Sequence, residues 1–399
     1  MKRVFGVIGR VLRIFLIAYA VFLVTQKVIG YLVSAARTRN RPQGIITTVV
    51  GDGHMGDSDF GSDFGRFAGD GGLATKASLN CPWDVAVGPN GSLYIADTFN
   101  NRIRKVDPQG IITTVAGDGW ADENGTGRCA GDGGPATKAS LKGPCAVAMA
   151  ADGSLYIVDG DQDRVRKVGP KGIITAVDRG GMWCVQGWEA FVRLSLLEDV
   201  ASGPDGSVYI ADASRERVFQ VLGTGMLRVA AGSGHRGFSG DGGLAVEASL
   251  HRPRALAVGA DGSIYIADTG NNRVRRVDPK GIITTVAGDG SSRGRDLFLN
   301  IDYEGMPATH AGVPGPSGLA VDSRGNLYIS SRAQVKVVTR KGILYTVTGS
   351  GRERGFSGDG GPAIEAELWA ASGLAVGQDG SLYIADLFNH RIRKVTWKR

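Results

Sequence analysis

Two short phrases return six times along this chain, and that repetition restricts its fold more than any other feature. A GIITTV-like phrase starts at Gly44, Gly110, Gly172, Gly225, Gly281 and Gly342. An LYIAD-like phrase starts at Leu93, Leu155, Val208, Ile264, Leu327 and Leu382, at spacings of 62, 53, 56, 63 and 55 residues. Self-similarity at such periods marks repeat architectures. Each unit reads as four short strands. In the first, Val85–Val87, Leu93–Ala96, Arg102–Val106 and Ile111–Val115 are short runs that each carry Val or Ile. Turn-forming Pro-Asn-Gly and Asp-Pro-Gln-Gly separate them, as hairpin chemistry requires. Four strands per unit, repeated radially, make a propeller blade.

The ends of the repeat agree. The last unit stops after its third strand, Arg391 to Val395, whereas the first phrase, Gly44 to Val50, is a fourth strand with nothing before it. The N-terminal strand is therefore expected to complete the last blade. The expected fold is an all-β, six-bladed β-propeller with four-stranded blades, occupying residues 42–399. Closure also hides two sheet edges that would otherwise template aggregation.

Residues 1–41 read as a separate segment. Ile14 to Ala36 is apolar except for Thr25, Gln26, Lys27 and Ser34, and about 20 such residues cross a bilayer as a helix. The expectation is an N-terminal membrane helix acting as a signal anchor, with a cleaved signal peptide or an interfacial helix as alternatives. Single-pass attachment with an extracytoplasmic propeller follows. The net charge of +7 belongs to this segment, which holds eight basic residues and no acidic one. The remainder carries 38 basic and 39 acidic residues. Phosphate-backbone binding needs a basic face, so nucleic acid is not an expected partner.

The stretch Leu93–Gly119, LYIADTFNNRIRKVDPQGIITTVAGDG, and its counterpart Ile264–Gly290 resemble the NHL repeat. Phe356–Leu368, FSGDGGPAIEAEL, resembles the blade linker of bacterial and teneurin-like NHL propellers. The resemblance implies a six-bladed propeller used mainly for binding, without naming a ligand. Blade 5 departs from it, with Ser330 and Ser331 near the Asp position, and blades 3 and 5 lack the GDGG linker.

The recurring residues read as structural. Tyr94, Tyr156, Tyr209, Tyr265, Tyr328 and Tyr383 should pack sheet on sheet, with small Ala86 and its five equivalents near the narrow centre. Asp97 with Arg102, and the same pair in four other blades, reads as a loop-bracing ion pair. The GDGG linkers lack P-loop spacing and read as structural loops; no cofactor is expected, calcium at Asp70, Asp132, Asp241 and Asp359 or in the Asp57–Asp63 loop being the alternative.

The candidate site is then what the repeat does not explain on the face bearing the blade linkers, here called the top. It comprises Trp83, Asp84, Glu198, Asp199, His251, Arg254 and Trp369 at the approaches to the innermost strands, with Trp183, Trp188 and Tyr303 from the divergent linkers. Aromatic side chains beside arginine suit a binding surface for a protein or glycan. The expected function is a membrane-tethered, non-catalytic binding scaffold. The alternative is a lactonase- or strictosidine-synthase-like hydrolase or lyase using Asp84, Glu198 and Asp199 at the channel mouth. Four cysteines, Cys81, Cys129, Cys145 and Cys184, fall in or beside top linkers; an exported chain could pair them.

Overall fold

In a computed structural model, the described residues are 41–54, 67–120, 130–178, 182–186, 191–223, 225–292, 303–351 and 355–397. The anchor assigned to 14–36 lies outside them, as do Trp188, Cys129 and the Asp57–Asp63 loop. Among the described residues no helix is long and apolar enough to cross a membrane.

Each repeat forms one antiparallel sheet. From the axis outward, blade 1 is Pro82–Val87, Leu93–Asp97, Arg102–Val106 and Ile112–Ala116. The innermost strands of blades 2 to 6 are Pro144–Met149, Leu197–Ser202, Pro253–Val258, Pro316–Val321 and Ala371–Val376. Each packs on the next, and the sixth packs on the first, so the ring has six members. Blade 5 carries an additional edge strand, Met306–Pro307, and a small hairpin, Trp183–Cys184 with Phe191–Val192, precedes blade 3.

The expected closure is present. Gly44–Val50 pairs antiparallel with Arg391–Trp397, from Gly44 opposite Trp397 to Val50 opposite Ile392, and supplies the outermost strand of blade 6. The core lies between neighbouring blades rather than within one. Ala375 and Tyr383 of blade 6 pack against Val85 and Ile95 of blade 1, and Ala201 and Tyr209 of blade 3 pack against Leu256 and Ile266 of blade 4. The recurring Tyr and Ala thus join sheet to sheet, burying apolar area where the blades converge.

The loop-bracing ion pairs differ from expectation. Asp97 faces Arg102 across the hairpin, but its carboxylate pairs with Arg104 at 3.3 Å. Arg104 also reaches Asp70 of the GDGG linker at 2.7 Å. The same Asp–Arg–Asp set recurs with Asp132, Arg166 and Asp159, with Asp241, Arg275 and Asp268 and with Asp359, Arg393 and Asp386. Arg102 lies 3.8 Å from the Phe67 ring centroid and donates to the Asp118 carbonyl. Residues 102 and 104 share one face of a strand, so spacing alone does not select between them. The linker does, by folding over Arg104 and burying it completely. Blades 3 and 5, which lack GDGG, have Phe219 and Lys336 at this position, so the linker motif and the second arginine occur together. The GDGG carboxylates are thereby engaged as arginine partners.

Candidate functional site

Every innermost strand begins earlier than its apolar run suggests and carries a bulge near its top end. The register shifts between Pro82 and Asp84, Pro144 and Ala146, Leu197 and Asp199, Pro253 and Ala255, Pro316 and Gly318, and Ala371 and Leu374. A bulge leaves one residue unpaired and re-aims its side chain. The extra residues are Trp83, Cys145, Glu198, Arg254 and Ser317, with Ser372 and Gly373 in blade 6. They surround the mouth of an axial cavity of about 200 Å³. The positions singled out in the sequence as approaches to the strands are therefore one ring, set at a common height by one backbone device.

The ring is chemically asymmetric. Arg254 lies 3.6 Å from Glu198 through Nε and 5.5 Å from the Trp83 ring centroid. Trp83, Glu198 and Arg254 are all partly exposed. The Ser372 hydroxyl donates to the Trp83 carbonyl at 2.7 Å and that of Ser317 to the Ala371 carbonyl at 3.3 Å, tying blades 5, 6 and 1 together.

One residue deeper, Asp84 and Asp199 act across blade boundaries. Asp84 accepts the Val147 N–H of blade 2 at 2.9 Å, and Asp199 accepts the Leu256 N–H of blade 4 at 2.7 Å. Burial pushes Asp84 up to about 7. Burial, with the nearby Asp84 charge, holds Asp199 well above the carboxylate range. Cys145, between them on blade 2, is likewise raised by burial and by the surrounding carboxylates; a thiol so raised is a poor nucleophile. Gly373 is required here: a Cβ on it would sit 2.0 Å from Asp84 Oδ1 and 2.6 Å from the Asp84 Cα.

Trp83, Asp84, Glu198, Asp199 and Arg254 thus share one cavity wall. His251 and Trp369 stand just ahead of the innermost strands, where their N–H groups donate to Asp268 and Asp386. The Trp369 ring lies 5.4 Å from the exposed Phe388. Two of the aromatic residues lie against the core. Trp183 is 1% exposed and sits in the core between blades 2 and 3. Tyr303 packs against the core between blades 4 and 5. Both belong to the linkers that lack GDGG, where aromatic side chains pack in place of that motif. Cys81, Cys145 and Cys184 are free thiols. Among the described residues no group of three or more His, Cys, Asp or Glu is arranged to hold a metal ion.

Six four-stranded sheets around an axial channel, sealed by an N-terminal strand and built on LYIAD-type repeats, define an NHL-type propeller. The family description "Teneurin NHL domain" matches residues 46–125, 121–180 and 215–297, and the chain belongs to that family. It is 26% identical to human Teneurin-1 over 393 residues, covering 77% of this chain and 14% of that protein. It is 29% identical to mouse Teneurin-3 over 394 residues, again with 77% and 14% covered, and 28% identical to Drosophila melanogaster Teneurin-m over 236 residues, with 52% and 8% covered. The chain thus spans 14% or less of the length of these relatives. Among solved structures, a Bacteroides thetaiotaomicron protein of unknown function superposes with a TM-score of 0.60 at 16% identity, covering 90% of this chain and 77% of that one. An auxiliary nutrient binding protein from Bacteroides ovatus superposes with a TM-score of 0.58 at 16% identity, covering 90% and 78%. These two likenesses concern the fold.

Proposed function

We propose that this chain is a non-catalytic binding propeller that captures a protein or glycan ligand at its channel mouth, and that residues 14–36 tether it to a membrane. The observation that carries the reading is the ring of six bulges. They present Trp83, Glu198 and Arg254 together and partly exposed, while the carboxylates beneath are occupied by backbone N–H groups of the next blade. An aromatic ring beside a guanidinium and a carboxylate is the composition of a recognition surface. A general acid or base needs a carboxyl free to reach a substrate proton, and Asp84 and Asp199 are held as structural acceptors.

The closing strand supports an orientation. It starts beside Trp397 and runs toward the mouth, ending at Val50. Pro42 and Gln43 border the turns Asp322–Asn326 and Gly377–Ser381 on the opposite face. A tether on the N-terminal side would hold the propeller by that opposite face and turn the mouth away from the bilayer.

The test uses the full chain in detergent against a panel of purified ectodomains and glycans. A saturable ligand is expected, with affinity falling at least about tenfold in the double variant Trp83→Ala/Arg254→Ala and no change in the denaturation midpoint. Full retention of binding by that variant overturns the mouth as the site. Substrate turnover that is lost on Asp84→Asn would instead establish the enzymatic alternative.

A further inference from the structure

A second device recurs around the ring, and its last copy differs chemically from the rest. In five blades the residue just before the third strand is in the left-handed conformation: Asn101, Asp163, Glu216, Asn272 and His390, with φ of 52–53°. In all five its side chain accepts an N–H from the segment entering the next blade. Asn101 takes the Gly143 N–H at 2.9 Å, Asp163 that of Leu196 at 2.7 Å, Glu216 that of Arg252, and Asn272 that of Gly315 at 2.9 Å. At the seam where blade 6 meets blade 1, His390 Nδ1 takes the Cys81 N–H at 3.0 Å. Blade 5 has a shorter loop with Ala333 before its third strand, which offers no side-chain acceptor, and there the Arg332 carbonyl takes the Ala371 N–H at 2.9 Å. These latches fasten each blade to its neighbour two residues before the mouth residue of the ring, so the Cys81 amide lies just ahead of Trp83.

An imidazole nitrogen accepts a hydrogen bond only while unprotonated. We propose that the closing seam of this propeller is an acid-sensitive latch: protonation of His390 releases the Cys81 amide and loosens the entry into blade 1 beside Trp83. The two amide acceptors, Asn101 and Asn272, cannot be switched this way. His390 is 8% exposed. Arg391 lies beside it on its own blade, Asp52 faces it from the closing segment, and Cys81 faces it from blade 1. Burial first, then the Arg391 charge, holds its pKa below the usual 6.5, with Asp52 opposing. Cys81 stays protonated, pushed up to about 12 by burial and by Asp97. Asp386, four residues earlier, is pushed up to about 6 by burial, but it accepts from Trp369 and Asn389 rather than from Cys81.

The sign follows from linkage. The folded state favours neutral His390, so the latch contributes fully above the unfolded pKa of about 6.5. Its contribution declines as pH falls from there toward the lower folded value, because the unfolded chain takes up the proton first.

Hydrogen exchange of the full chain in detergent, corrected for intrinsic rates, tests this between about pH 7.5 and about pH 5.5, the range in which histidine titrates. Protection of the Cys81 amide is expected to fall about tenfold, while the Gly143 amide, held by Asn101, keeps its protection. His390→Asn, which reproduces the acceptor of blades 1 and 4 and tolerates positive φ, should abolish the fall at Cys81. Any acid response of the Trp369 amide through Asp386 should be unaffected by that variant. Equal loss at Cys81 and Gly143, no loss at Cys81, or a loss that persists in His390→Asn overturns the proposal. The comparison of the two wild-type amides decides it even if the variant folds poorly.

Discussion

Replacing Asp97 by alanine should cost about 3–5 kcal/mol, the range for removing one partner of a buried ion pair. Asp97 and Arg104 are both fully buried. Asp97 also accepts the Asn80 N–H at 2.7 Å and the Asn100 amide at 2.9 Å, so the variant leaves a guanidinium without its inner carboxylate and two donors without an acceptor. Burial raises Asp97 above the usual carboxylate range, against the pull of Asn80, Asn100 and Arg104. Substitution relieves that desolvation, but it leaves Arg104 buried without its inner partner, and the cost of the unpaired guanidinium dominates. Urea denaturation should register the loss, which would take a large share of a typical stability of about 5–15 kcal/mol. Ser331, the blade 5 equivalent, makes a single bond to the Pro314 carbonyl, so Ser331→Ala should cost about 1 kcal/mol. Equal effects at the two positions would show that the Asp–Arg–Asp sets do not brace the blades.

The second large effect is expected at the closing strand. Ile46→Pro should destabilise by at least about 3 kcal/mol, as proline does inside a paired element. Ile46 donates its N–H to the Gly361 carbonyl at 3.2 Å and accepts from Gly360 at 2.8 Å. It lies opposite Val395 in the strand pair, and its side chain is completely buried in the core between blades 5 and 6. The substitution removes the donor and displaces that side chain, and it detaches Gly44–Val50 from the Gly360–Gly361 linker that covers it. A lowered urea midpoint together with protease cleavage in blade 6 is the expected outcome. Gln43→Pro, just before the strand, should leave both unchanged. An Ile46→Pro protein as stable as the parent would mean that neither the linker bond nor the buried Ile46 side chain helps to hold the closing strand.

Repetition made the blades legible in the sequence. Six returns of one four-strand pattern, with a strand missing at one end and left over at the other, leave a ring closed by Gly44–Val50 as the consistent arrangement, because an unpaired edge on either side would expose a row of backbone donors and acceptors. The recurring Tyr and Ala were legible for the same reason, since a residue that returns in every unit answers to a contact that returns in every unit. The second arginine was also within reach: Arg104, Arg166, Arg275 and Arg393 occur in the four blades that carry GDGG.

Other features depended on packing. Trp83 and Trp183 look equally suited to a surface when read along the chain, yet a bulge turns the first toward the channel mouth and a divergent linker folds the second into the core. Asp84 and Glu198 are 114 residues apart in the sequence and meet on one cavity wall only because the ring is closed. His390 carries no metal-ligand spacing, and its position as the titratable acceptor at the closing seam appears only beside its equivalents in the other blades. The sequence alone determined which segments are strands and how many sheets they build, because periodicity and turn chemistry are local. Tertiary structure decided which side chains face the channel, which carboxylate meets which arginine and where the ring is fastened, because those depend on distances between residues that only closure brings together.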